Sequence, residues 1–96
     1  MTSKQRAYLM SIAQSESAIF QIGKSGITPE MSTAISDALE ARELIKISVL
    51  KNCFDDPKEL GRTLADRTRS QLVQVIGRKI VLYRESKTSK KIELPK

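Results

Sequence analysis

Nine residues, Gln21-Ile22-Gly23-Lys24-Ser25-Gly26-Ile27-Thr28-Pro29, constrain this chain more than any other stretch. The run before them, Ala18 to Ile22 with Phe20 and Ile22 on one face, reads as a short strand that stops at Gly23. Thr28-Pro29 reads as a helix start: a hydroxyl cap, then a proline whose missing N–H and fixed φ suit the first helical position. Between strand and helix lies a two-glycine loop in which Gly23 and Gly26 allow close approach, Lys24 supplies a mobile charge and Ser25 a hydroxyl. Loop amides and a helix N-terminus so arranged can converge on one anion.

The remaining elements follow from periodicity. Residues 4–15 place Leu9, Ile12 and Ala13 on one helical stripe with Met10 at its edge, and Lys4 and Arg6 fall in the first turn, where the helix dipole disfavours cations. After Pro29, Met31, Ala34, Ile35, Ala38, Leu39 and Arg42 recur at helical spacing, while Glu30, Asp37, Glu40 and Glu43 take the polar, acidic side. From Leu44 the period changes to two, with Ile45, Ile47 and Val49 facing one way and Lys46 and Ser48 the other. Asp56-Pro57-Lys58-Glu59 predicts a cap, a first-turn proline and a capping glutamate for a third helix carrying Leu60, Leu64 and Ala65 to about Thr68. Gly61 lowers the propensity of that helix, so close packing or simple tolerance has to account for it. Leu72–Ile76 and Ile80–Tyr83, separated by Gly77-Arg78-Lys79, read as a hairpin.

The expected order is therefore α-β-α-β-α-β-β, an α/β fold with a four-stranded mixed sheet and helices packed mainly on one face. The opposite face and the loops would be left for work. Residues 1–86 form the single expected domain, and 87–96, with Lys87, Lys90 and Lys91 and no periodicity, a mobile basic tail in which only Ile92 and Leu94 could pack locally.

Charge narrows the function. The 96 residues carry a formal net charge of +6 and no histidine. Residues 1–48 are balanced at five basic and five acidic side chains, whereas 49–96 hold twelve basic and six acidic, so the excess lies in the second half. Such asymmetry points to a polyanion, chiefly nucleic acid. No long apolar run predicts a membrane span, the first residues lack the apolar core of a signal peptide, and a cytoplasmic, monomeric protein is expected. Without histidine or a converging acidic cluster, neither near-neutral acid–base chemistry nor a metal site is expected, and the chain reads as non-enzymatic with no cofactor. Cys53 stands alone, beside Phe54, and reads as a small, partly buried side chain.

The loop completes neither of two nucleotide-binding fingerprints. A P-loop ending in Gly23-Lys24-Ser25 would need its first glycine at position 18, which is alanine, and G-x-G-x-x-G finds only Gly23 and Gly26. The loop therefore reads as a contact to a phosphate of a large partner. Its counterpart is Gly77-Arg78-Lys79, with Arg84 at the far end of the strand, and Arg67 and Arg69 are candidates to extend the surface. Arg62 carries less weight because Asp66, four residues on, can pair with it. Such cations suit backbone and shape contacts to structured RNA better than a base-by-base code. Phe20, Phe54, Tyr8 and Tyr83 are too scattered to form a row of stacking platforms; Phe20 reads as core and Tyr83 as either.

Four ordered blocks resemble the YhbY-like family, also called the CRM domain: Lys4-Gln5-Arg6; Gln21 to Thr28; Ala38-Leu39-Glu40-Ala41-Arg42-Glu43-Leu44-Ile45-Lys46; and Leu72 to Arg84. The resemblance implies a fold like the C-terminal domain of translation initiation factor three. It also implies association with rRNA of the precursor large ribosomal subunit, as for bacterial single-domain members, or action on other structured RNA as a chaperone or splicing-type factor, as for plant organelle relatives. By analogy with KH domains, the RNA-contact role would fall on Gly23, Lys24, Ser25 and Gly26, with Lys4, Arg6, Arg78, Lys79 and Arg84 in support. The sequence departs from the family pattern at Met10, where arginine is frequent, at Gln14, where histidine is familiar, and at Glu16-Ser17-Ala18. A reading of another class is a protein-docking module that uses the acidic side of the second helix.

Overall fold

Side-chain caps start all three helices, and proline follows the cap in two of them. In the computed structural model, which describes residues 1–96, the elements are α1 (Ser3–Ala13), β1 (Ala18–Ile22), α2 (Pro29–Arg42), β2 (Leu44–Val49), α3 (Pro57–Thr68), β3 (Gln71–Ile76) and β4 (Lys79–Tyr83). Thr28 Oγ1 accepts from the Met31 amide at 3.1 Å, and Asp56 Oδ1 from the Lys58 amide at 3.0 Å. Glu59 does not complete the expected box; it pairs with Arg62, which in turn leaves Asp66 without that partner. A reciprocal box forms instead at α1, between Thr2 and Gln5, where each side chain accepts from the other's amide.

The sheet order is β1-β2-β4-β3, with β1 parallel to β2 and β4 antiparallel to both β2 and β3. Strands β1, β2 and β3 therefore point the same way. Helices α2 and α3 cover one face, where Ile22, Ile45, Ile47, Val49, Ile80 and Leu82 meet Ile35, Leu39, Leu60 and Leu64. Close packing accounts for Gly61: a Cβ there would lie 2.9 Å from Leu72 Cδ1 and 3.4 Å from Ile80 Cγ2, so a larger residue would force the Leu72 side chain to move and crowd the contact between α3 and the sheet. Helix α1 lies on the other face, where Leu9 and Ala13 join Leu44, Val73, Val81 and Tyr83 in a second, smaller core. A register shift between Leu72 and Gln74 accompanies the inward turn of Val73.

The C-terminal segment departs from the expected mobile tail. Ile92 and Leu94 pack on the second core, and Gln5 Nε2 donates to the Pro95 carbonyl at 3.0 Å. Its anchor is Glu43, expected on the polar side of α2 but fully buried at the C-cap with φ 68°. Glu43 Oε1 accepts from the amides of Lys91 (2.6 Å) and Ile92 (2.7 Å), and Oε2 from that of Ser86 (2.7 Å). Burial pushes its carboxyl up, but those three amides and the Lys90 charge outweigh it and hold the group below the usual carboxylate value. Glu40 Oε2 accepts from Ser86 Oγ, Thr88 Oγ1 and the amides of Lys87 and Thr88; the Ser86 hydroxyl leads in lowering its pKa. Two carboxylates at the end of a helix, where the dipole disfavours them, are thus stabilised by the segment they bind.

Candidate nucleic-acid interface

Strand direction decides which loops meet. The loop after β1, the connection after β2 and the β3–β4 turn all emerge at one end of the sheet, where ligands gather in open α/β folds. In sheet order this rim runs Gly23–Gly26, then 50–56, then Gly77-Arg78. The hairpin turn is carried by β4 and β3, two and three strand spacings from β1, or about 10–14 Å.

The glycine loop is a tight turn closed by the Gly26 amide on the Gly23 carbonyl at 3.0 Å. Gly26 sits at φ +68°, a conformation that L side chains rarely adopt, and this redirects the chain toward the Thr28 cap. The Lys24 and Ser25 amides have no partner within the chain, and both side chains are exposed. These are the donors an anion needs. The hairpin turn uses Gly77 at φ +55°, and Arg78 ties it to the neighbouring strand: its carbonyl accepts from the Val49 amide at 2.7 Å, while Nη1 donates to the Leu50 carbonyl at 3.0 Å. Lys79 Nζ donates to Ser48 Oγ at 2.8 Å. Both side chains remain exposed and bond to β2 or the residue after it, on the side of the hairpin that faces β1 in the sheet order. Gly23, Lys24, Ser25, Gly26, Arg78 and Lys79 are therefore brought to one end of the sheet.

The other candidates lie elsewhere. Arg84 is engaged internally: Nη1 donates to Ser36 Oγ (2.9 Å) and the Thr68 carbonyl (2.7 Å), Nη2 to the Ser36 carbonyl (2.7 Å), with Glu40 at 3.9 Å. Its planar fork suits convergent carbonyls, and it joins α2, the end of α3 and β4 at the opposite end of the sheet. Arg67 and Arg69 are exposed at that same distant end, Arg69 as the left-handed C-cap of α3. Arg6 donates to the Leu72 and Val73 carbonyls (2.8 and 2.6 Å) at the β3 register shift, so a chain contact uses the first-turn cation. Lys4 is exposed near the start of α1. In the C-terminal segment, Lys90 pairs with Glu85 at 3.1 Å, and that hydrogen bond leads in raising its pKa.

Two rim residues were not singled out from the sequence. Lys51 is exposed between the two basic loops. Its signal was its position directly after a strand parallel to β1. Phe54 is 94 % exposed, whereas Tyr83 is buried and Phe20 packs against the main core. No grouping of three or more His, Cys, Asp or Glu side chains could hold a metal ion, and no helix is long and apolar enough to cross a membrane. On the acidic side of α2, Glu40 and Glu43 are occupied by the C-terminal segment, and Glu30 and Asp37 remain exposed.

The sequence profile of the CRS1 / YhbY (CRM) domain matches residues 1–84. The "Probable RNA-binding protein YqeI" of Bacillus subtilis is 53 % identical over 95 residues, covering 99 % of each chain. An "RNA-binding protein" of Haemophilus influenzae is 30 % identical over 96 residues, covering 100 % of this chain and 96 % of the relative. The solution structure of Staphylococcus aureus SAV1595, 60 % identical, superposes over 99 % of both chains with a TM-score of 0.83.

Proposed function

This chain belongs to the CRS1 / YhbY (CRM) domain family, and from that premise we propose that it is a non-enzymatic RNA-binding protein that associates with rRNA of the precursor large ribosomal subunit and assists its assembly. The observation that carries the RNA reading is the convergence of the Gly23–Gly26 loop and the Gly77-Arg78-Lys79 turn on one end of the sheet, with Lys24, Lys51, Arg78 and Lys79 exposed. The names of the Bacillus and Haemophilus relatives point the same way. The ribosomal part rests on the family resemblance in the four sequence blocks.

The mechanism is one of covering rather than cutting. Phosphates seat on the unpartnered loop amides and on Lys24, and the hairpin cations anchor the adjoining backbone. Performing no bond chemistry, it would hold an rRNA feature in a productive shape and then leave, acting as a monomer in the cytoplasm.

Crosslinking in cells, followed by recovery of the bound RNA and location of the protein across ribosomal gradients, tests this reading. Enrichment in precursor large-subunit fractions, lost in a variant combining Lys24→Ala, Arg78→Ala and Lys79→Ala, is expected. Enrichment of other structured RNAs alone would move the role to a general RNA chaperone, and absence of RNA altogether would refute it.

A further inference from the structure

We propose that Phe54 is a base-stacking platform, so that the rim takes an unpaired nucleotide whose phosphate sits on the glycine loop. The inference rests on the RNA reading above and adds to it the class of RNA bound, single-stranded or bulged rather than continuous duplex. At 94 % exposure Phe54 contributes almost nothing to either core, and it is by a wide margin the most exposed large apolar side chain in the protein, ahead of Ile76 at 62 %.

Its presentation is fixed from both sides. Cys53, 2 % exposed, is embedded in the main core, and its amide donates to the Leu50 carbonyl at 3.0 Å. Two residues later Asp56 caps α3 ahead of Pro57. With the backbone beneath it held between a buried anchor and a helix cap, the ring has only its own two side-chain torsions to order on stacking.

Residues on either side of Phe54 lie close to the glycines of the proposed phosphate site. A Cβ built on Gly23 would lie 3.5 Å from Asn52 Oδ1, and one on Gly26 would lie 3.5 Å from Asp55 Oδ2. Phe54 therefore belongs to the segment that backs the glycine loop. Charge selects the occupant: Lys24, Lys51, Arg78 and Lys79 share this rim with the carboxylates of Asp55 and Asp56, and Asp56 is engaged at its cap. An anionic ligand with a flat apolar face satisfies both the cations and the ring, and a nucleotide has both parts. Asp55 beside Gly26 turns the phosphate toward the Lys24–Ser25 side of the loop. A base stacked on an aromatic ring is a sequence-tolerant contact, consistent with a rim that offers few groups for reading base edges.

The test uses the full chain and two probes: a short oligoadenylate carrying one 2-aminopurine, and a blunt RNA duplex of equal length. Binding of the single strand should quench 2-aminopurine fluorescence. Phe54→Ala and Phe54→Leu should each weaken single-strand binding by about tenfold or more and abolish the quenching, while Phe54→Trp retains both. Duplex binding and thermal stability should be unchanged in all three, because the ring supports neither core. Wild-type affinity and quenching in Phe54→Ala would overturn the proposal. So would unchanged RNA affinity combined with loss of the protein from precursor fractions in cells, which would assign Phe54 to a protein partner. Failure of the wild-type chain to bind either probe would instead count against the RNA reading itself.

Discussion

At the carboxyl ends of β1, β2 and β3, the exposed cations Lys24, Lys51, Arg78 and Lys79 stand beside loop amides that have no partner in the chain, and Phe54 is held clear of the core. At the other end, Arg84, Glu40 and Glu43 are surrounded by partners: three carbonyl or hydroxyl acceptors around the guanidinium, and amides or hydroxyls around each carboxylate. The same residue chemistry does different work at the two ends. Where several partners converge on one group within the chain, charge fixes geometry; where exposed cations hold a single partner, as Arg78 and Lys79 do, or stand beside unpartnered loop amides, as Lys24 does, charge remains available to a ligand.

The largest effect should come from the closed end. Glu43→Ala removes the acceptor for three amides and should cost about 3 kcal/mol, lowering the melting temperature by on the order of 15 °C. Denaturation by urea would measure it. A loss below about 0.5 kcal/mol would mean that docking of the C-terminal segment contributes little to stability.

Acid should reproduce part of this loss without mutation. Glu40 and Glu43 both have folded-state pKa values lowered from 4.5, so their contribution is fully present above that value and is lost as pH falls through the lower folded values. Stability measured between neutral and strongly acidic pH should therefore fall below about pH 4.5, and Glu43→Gln should flatten the slope. An equally steep slope in that variant would assign the acid sensitivity to other carboxylates.

Arginine chemistry separates the two ends next. Arg84→Lys keeps the charge but loses the fork and should destabilise by about 1–2 kcal/mol, whereas Lys24→Ala should change stability by less than about 0.5 kcal/mol while weakening RNA binding and its salt dependence. Titrations at several salt concentrations, set beside unfolding curves, would show whether the roles divide in this way. The smallest effect is expected from Asp55→Asn, which removes an uncapped carboxylate beside Gly26. RNA affinity should rise by about two- to fivefold at low salt, and a decrease would place Asp55 among the groups that assist binding.

What was legible in the sequence reflects how far each feature depends on distant residues. Ile45, Ile47 and Val49 declare their strand by alternation, and Thr28-Pro29 declares its helix by local chemistry, so element order and sheet class followed directly. The glycine loop and the hairpin were likewise readable as punctuation. Their meeting at one rim followed only from β4 running between β2 and β3. Glu43 looked like a surface acid because the amides that bury it lie more than forty residues later, at Ser86, Lys91 and Ile92. Arg84 was misleading for a similar reason: Ser36 and Thr68 reach it only through the packing of α2 and α3. Phe54 gave no periodic signal, since the direction of one aromatic in a loop depends on the anchors around it. The Thr2–Gln5 box was available as a local motif and was overlooked.

Amide chemical shifts recorded while structured RNA is added would test the central claim most directly. The account predicts that perturbation gathers at Gly23–Gly26, Lys51–Asp55 and Gly77–Lys79 and leaves Glu40, Glu43, Arg84 and the C-terminal segment undisturbed. Perturbation centred on Arg67, Arg69 and residues 84–96, with the glycine rim silent, would contradict it.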